Sequence, residues 1–293
     1  MNKKQSLTLE KRRARTGILF VLPGMIGFFV LTVLPLFITL WYSVTGADGQ
    51  LVFLQNYLDT LQSDSFLLAL KNTLLFSAAG IPLLLITSML LALIFFSIGR
   101  DSNLHTGMLI SVLLLPIVIP SSFSALFFQI LLERSGILNT MAPFLGNIDW
   151  LRTQPWAFLI LTLLFVWKNF GYVMIIDYAA LTAIDPDILS AALCDGAGVF
   201  RRFFSVTLPM VAPSVFFTAV FGFMNVFKIY RESFLLMGEY PVSGVYLLQN
   251  FIQNNLANMN FQRMSCASIL FLILMSIPVA IMLRQNNKRG SWL

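Results

Sequence analysis

Six stretches of this 293-residue chain are each about twenty residues or longer and carry almost no charge, and nothing else in the sequence limits the fold so tightly. They cover about 18–42, 73–98, 108–132, 156–181, 211–230 and 264–283. A bilayer core about 30 Å thick is crossed by roughly 20 helical residues rising 1.5 Å each. Each stretch therefore reads as one transmembrane helix. Barrel strands are excluded, because they are shorter and alternate polar with apolar residues. Pro23, Pro35, Pro82, Pro116, Pro120 and Pro278 lie in or at the ends of these runs. Membrane helices tolerate proline when neighbouring helices satisfy the freed carbonyls. Composition agrees: 58% of residues are hydrophobic and 11% charged, against about 25% charged in a soluble domain. A water-soluble fold of this length could not hide so much apolar surface.

The placement of Lys and Arg sets the expected orientation. One set of connections holds the tail residues Lys3, Lys4, Lys11, Arg12, Arg13 and Arg15, then Arg100, Arg201, Arg202, Arg284, Lys288 and Arg289. The opposite set holds Arg134, Arg152, Arg231 and Arg263. The positive-inside rule puts both termini and the 99–107 and 182–210 loops in the cytoplasm. It leaves 43–72, 133–155 and 231–263 outside, where Val245–Leu256 is expected to form an amphipathic helix lying outside the membrane. The basic balance thus marks membrane orientation, not nucleic acid. The first run exceeds a signal-peptide core of about 7–15 residues and reads as an uncleaved span. Cys194 and Cys266 fall in different segments and make neither a disulfide framework nor a metal cluster.

The stretch Ile184 to Pro213, IDPDILSAALCDGAGVFRRFFSVTLPMVAP, is the most informative. Asp185 followed by Pro186 is a strong helix start: a side-chain cap, then a proline whose missing N–H costs nothing at the first helical position. Gly196 and Gly198 end that helix and permit a sharp reversal. Phe200, Phe203 and Phe204, spaced i, i+3 and i+4, are expected on one face of a second short helix, with Arg201 and Arg202 turned away. Apolar residues in a cytoplasmic loop admit two explanations. One is an interfacial helix packed under the bundle; the other is a knob fitting a groove on a cytoplasmic partner.

The spacing of this loop resembles the cytoplasmic EAA loop of binding-protein-dependent ABC importer permeases. That loop reads Glu-Ala-Ala, three residues, Gly, nine residues, Ile, one residue, Leu-Pro. Ala191, Ala192, Gly196, Leu208 and Pro209 occupy the matching places; Ser190 stands where Glu is usual and Val206 where Ile is usual. Asp195-Gly196-Ala197 has the form common in the sugar branch. KRRARTGILFVLPGMIGFFVLTVLP, SFLLALKNTLLFS, LLPIVIPSSFSALFFQIL with SGILN, and WKNFGYVMIIDYAAL resemble, in order, segments of the maltose- and glycerol-phosphate-type permease half.

The resemblance implies an all-α integral membrane protein with the type I ABC importer permease fold, one extra N-terminal helix preceding a five-helix core. The chain then divides into a basic tail (1–17), a first helix with its external loop (18–66), the permease core (67–284) containing the coupling loop 184–213, and a cytoplasmic tail (285–293). It implies a second permease subunit, two ATP-binding cassette subunits, an extracellular or periplasmic solute-binding protein, and residence in a bacterial or archaeal cell membrane. ATP and Mg belong to the partner ATPase, and this chain binds no cofactor. Ser190, Ala191, Ala192, Asp195, Gly196, Ala197, Phe203, Leu208 and Pro209 are the implied ATPase-coupling residues. The implied solute is a sugar or a similar small polar molecule.

Polar groups at membrane depth are costly and read first as functional. Lys168 and Tyr172 share a face of the fourth span, with Asn169 beside them. Asp177 is about 13 Å further along, on the opposite face, and cannot pair with Lys168. Lys168 must instead meet a carboxylate or carbonyl of another helix, or line a wet cavity; Asp177 reads as a solvated helix end. Asn225, Lys228 and Tyr230 lie near the outer end of the fifth span. These six residues, Lys168, Asn169, Tyr172, Asn225, Lys228 and Tyr230, are the substrate-pathway candidates. The alternative for each is interhelical hydrogen bonding or interface anchoring.

An integral-membrane enzyme is the rival of a different class. The sequence has no H-E-x-x-H or G-x-S-x-G motif, and its single histidine, His105, reads as a solvated loop residue. It also lacks the Gly-x4-Gly-Lys-Ser/Thr phosphate loop, so ATP hydrolysis must lie in a partner. A secondary transporter is the second rival; no internal repeat supports it.

Overall fold

The computed structural model describes residues 3–98, 103–145 and 148–288. Arg100, Asp101 and Arg289 lie outside the described residues, as do the side chains of His105, of Lys288 and of the basic residues at 3–15. Among the described residues the fold is helical, and the one β contact is an isolated bridge between Thr45 and Leu51. Among the described residues, five helical segments are long and apolar enough to cross a membrane: Thr16–Val44, Asp64–Ser97, Trp156–Thr182, Val199–Met237 and Phe261–Ile281.

The expected third span is present in pieces. It comprises α5 (Asn103–Leu113), α6 (Leu115–Val118) and α7 (Ser121–Leu132). Pro116 and Pro120 each remove a backbone donor, and Pro120 caps α7 with ψ of 145°, well out of the helical range. Proline here breaks the helix and does not merely bend it.

The first span consists of α1 (Lys3–Phe28), a π-helical turn at Phe29–Val33, and α2 (Leu34–Val44). It is almost wholly exposed, and only its C-terminal part is docked. There α2 lies on α15 (Phe261–Lys288) and on α3 (Gln55–Leu61). The Tyr57 hydroxyl donates to Ser43 Oγ at 2.8 Å, and Asn56 Nδ2 donates to the carbonyls of Ser43 and Thr45.

The centre of the bundle is the pairing of α4 (Asp64–Ile98) with α9 (Trp156–Thr182), flanked by α12 (Leu208–Lys228). Phe76, Leu84, Leu161, Leu164, Phe165, Val173 and Val226 are buried there, with the Phe76 and Phe165 rings edge to face at 5.5 Å. α4 starts nine residues before the apolar run and α12 is continued by α13 (Tyr230–Met237), so both spans exceed their apolar cores. The helix expected within Val245–Leu256 forms as α14 (Leu248–Ala257). It packs into α4 and α15, burying Leu248 and Phe251. The top of α4 holds its approach: Asn72 Nδ2 donates to the Ser243 and Tyr246 carbonyls, and the Leu248 N–H donates to Thr73 Oγ1 at 2.8 Å.

Candidate functional site

The loop between the fourth and fifth spans folds as the local sequence dictates. Asp185 Oδ1 accepts from the Asp187 N–H at 3.0 Å, and Pro186 opens α10 (Pro186–Cys194). At its end Gly196 takes φ of +73°, which only glycine adopts freely. The Gly196 N–H donates to the Leu193 carbonyl and the Ala197 N–H to the Ala192 carbonyl, each at 3.0 Å. This paired bonding is a Schellman closure. A second short helix, α11 (Val199–Arg202), follows and runs through a π-helical turn at Phe203–Thr207 into α12.

The three phenylalanines do not share one exposed face, which corrects their expectation: Phe203, where the π turn opens, is half-buried. Phe203 packs inward among Met174, Leu181 and Val211, whereas Phe200 and Phe204 remain 81% and 61% exposed. Ile188, Leu193 and Val199 are exposed as well, giving the loop an apolar surface that no other described residue covers. Ser190, Ala191, Asp195, Gly196 and Pro209 are exposed, and Ala192, Ala197 and Leu208 half-buried. Ser190 Oγ donates to the Pro186 carbonyl of its own helix at 2.9 Å.

Within the bundle, Lys168 has found its carboxylate. Its ammonium makes an ion pair with Glu232 of α13, the one ion pair among the described residues. Lys168 Nζ also donates to Ser121 Oγ at 2.9 Å, and Ser121 Oγ donates to Glu232 Oε1 at 2.6 Å. Neither Glu232 nor Ser121 was expected from the sequence. Arg231 and Glu232 together resemble the edge of a polar loop, yet the apolar Phe234–Met237 that follows carries the helix onward.

The other pathway candidates are dispersed. Asn169 is buried and donates to the Phe165 carbonyl of its own helix. Tyr172 lies against Phe221, ring centroids 4.5 Å apart. Asn225 is buried with Nδ2 lacking a partner. Lys228 is exposed, and Tyr230 is half-buried beside Phe234. Asp177 corrects its expectation: it is 1% exposed, with Oδ1 lacking a partner, and is not a solvated helix end. Among the described residues no group of His, Cys, Asp and Glu could hold a metal ion.

The fold and site define a polytopic helical membrane protein with a structured, apolar-faced loop between its fourth and fifth spans. No protein-family model matches the chain. It is 30% identical over 243 residues to the probable ABC transporter permease protein y4oQ of Sinorhizobium fredii, covering 78% of this chain and 76% of that one. It is 28% identical over 249 residues to the trehalose/maltose transport system permease protein MalF of Thermococcus litoralis (82% and 83% covered). A solved structure matches at TM-score 0.81 with 21% identity, covering 98% of this chain and all of a chain from a bacterial ABC transporter involved in the import of the acidic polysaccharide alginate. The chain belongs to the ABC transporter permeases.

Proposed function

We propose that this chain is the permease subunit of an ABC importer for a sugar or similar small polar solute, driven by ATP hydrolysis in a separate subunit. The observation that carries this reading is the 184–213 loop. It pairs a Schellman-closed helix with an exposed apolar surface of Ile188, Leu193, Val199, Phe200 and Phe204. Such a surface suits the groove of a cytoplasmic ATPase. Ser190, Ala191, Ala192, Asp195, Gly196 and Ala197 form the docking helix and its closure. Phe203, Leu208 and Pro209 tie that helix to α12, so that a displacement of the loop is delivered to the membrane span. Ser190, bonded to its own helix, gives the partner no carboxylate to read.

A second permease subunit completes the pathway, and an extracellular binding protein delivers the solute. The termini and the loop face the cytoplasm, as the distribution of Lys and Arg requires. The relatives' stated roles in trehalose/maltose and sn-glycerol-3-phosphate transport support a polar, sugar-sized solute. Lys168, Asn169, Tyr172, Asn225, Lys228 and Tyr230 mark the fourth and fifth spans as the pathway walls.

Phe200→Asp tests the docking. At 81% exposure Phe200 contributes little to the fold, so the variant inserts normally. A buried aromatic anchor is worth at least about 2 kcal/mol at an interface, so recovery of the ATPase on the tagged permease falls roughly thirtyfold. Undiminished co-purification would remove the loop from the interface.

A further inference from the structure

The third span is broken and the fifth loosens at one residue, and the side chains next to both places meet α9 at Lys168. α5 ends at Leu113, hard against Gly171, and the third span resumes at Ser121, beside Lys168. Gly171 and Lys168 are three residues apart and share a face of α9. In the fifth span the helix loosens for one residue at Ile229, between α12 and α13: its ψ is −17° and its N–H reaches the Asn225 carbonyl at a long 3.3 Å. Glu232, in the first turn of α13, then reaches the same Lys168 and Ser121. One ammonium, one carboxylate and one hydroxyl thus join the starts of α7 and α13 to the middle of α9.

The packing around this cluster is uneven. α13 packs sideways on α7, whereas it meets α12, the helix that it continues, only end to end through Ile229. α12 itself begins at the π turn that leaves the 184–213 loop. A displacement of that loop travels along α12 to Ile229. There α12 either carries α13 with it or bends, and helix interruptions are where membrane helices bend.

We propose that Glu232 is a positioning residue for transport: it anchors α13 and α7 to Lys168, so that motion of α12 is taken up at Ile229 and the outer segments of the third and fifth spans stay with α9. Separating the pair would leave two charges at membrane depth without partners, which is costly enough to make the three segments move as one body. Removing the carboxylate frees α13 to follow α12. Rearrangement of the outer segments then no longer waits for the event that drives it, and ATP hydrolysis proceeds without solute.

This inference rests on the importer reading, and its test separates the two. Wild type, Glu232→Gln and the double variant Lys168→Met/Glu232→Leu are purified as the assembled complex in lipid nanodiscs. Solute-free ATP hydrolysis and backbone hydrogen exchange over 229–237 are measured on each. Both variants are expected to hydrolyse ATP about fivefold faster without solute, the low end of the usual range of coupling, and to exchange faster over 229–237. The double variant decides the matter should Glu232→Gln fail to fold, because an apolar replacement of a buried pair is commonly neutral or stabilising. A purely structural pair would leave the double variant at the wild-type rate. A solute-free rate that is unchanged or lower, or unchanged exchange, overturns the proposal. If no ATPase accompanies the wild-type chain the importer reading itself falls, and exchange on the permease alone still judges the anchor.

Discussion

Gly171→Ala is expected to lower the unfolding midpoint of the purified permease and its yield in membranes, although alanine is the better helix former. On propensity alone the change favours the helix by about 1 kcal/mol. Space reverses the sign. A Cβ at Gly171 would lie 2.8 Å from the Leu113 carbonyl carbon and closer still to its oxygen. Those atoms are backbone at the end of α5 and cannot swing aside as a flexible side chain would. Accommodation requires the broken third span to lift from α9, and overpacking of this kind costs about 1–3 kcal/mol. Gly24→Ala in α1 is the control, since nothing lies within 4 Å of its Cβ position; that variant should be neutral or slightly stabilised. A Gly171→Ala protein as stable as wild type would mean that α5 and α9 are not held together at this point.

The same contact shows where the sequence was legible. Apolar runs at the length of a bilayer located five long helices where they were expected, because burial in lipid leaves a signal in every residue, while the sixth run, 108–132, folds as shorter helices. The caps of α10 were equally legible: Asp185, Pro186 and Gly196 each act within a few residues of their own position. Long-range consequences were not. Pro116 and Pro120 were visible as prolines, but whether a span kinks or breaks depends on the neighbour that receives it, here Gly171 and Lys168 of α9. Lys168 demanded a partner on energetic grounds, yet a buried carboxylate in another helix has no signature in local periodicity. Glu232 stood next to Arg231 at the end of an apolar run and read as loop. The π turn at Phe203–Thr207 was hidden for a related reason: a single inserted residue shifts a helical face without altering composition.

The polar candidates separate along the same line. Asn169 donates to a carbonyl of its own helix, and Tyr172 lies against Phe221 of α12, so only Tyr172 makes the interhelical contact of the alternative reading. Asn225 keeps a buried donor without a partner, which solute, water or the second permease would satisfy.

Lys168→Met alone should therefore be more damaging than Lys168→Met together with Glu232→Leu. The single change strands a carboxylate that is 3% exposed, with only the Ser121 hydroxyl to answer it. Breaking a buried pair in this way costs about 3–5 kcal/mol, whereas replacing both partners by apolar groups is often neutral or better. Polar contacts inside membranes average a more modest 0.6 kcal/mol or so, because the separated helices also find partners; the lower end of the range is the appropriate expectation. Titration of the reconstituted permease with a denaturing detergent measures both variants. An excess cost of the single over the double variant of about 2 kcal/mol or more places the penalty in the orphaned charge. Equal stability of the two would mean that Glu232 finds water when Lys168 is gone, and that the level of α9 where Ser121 and Glu232 meet Lys168 is a wet cavity and not a sealed joint.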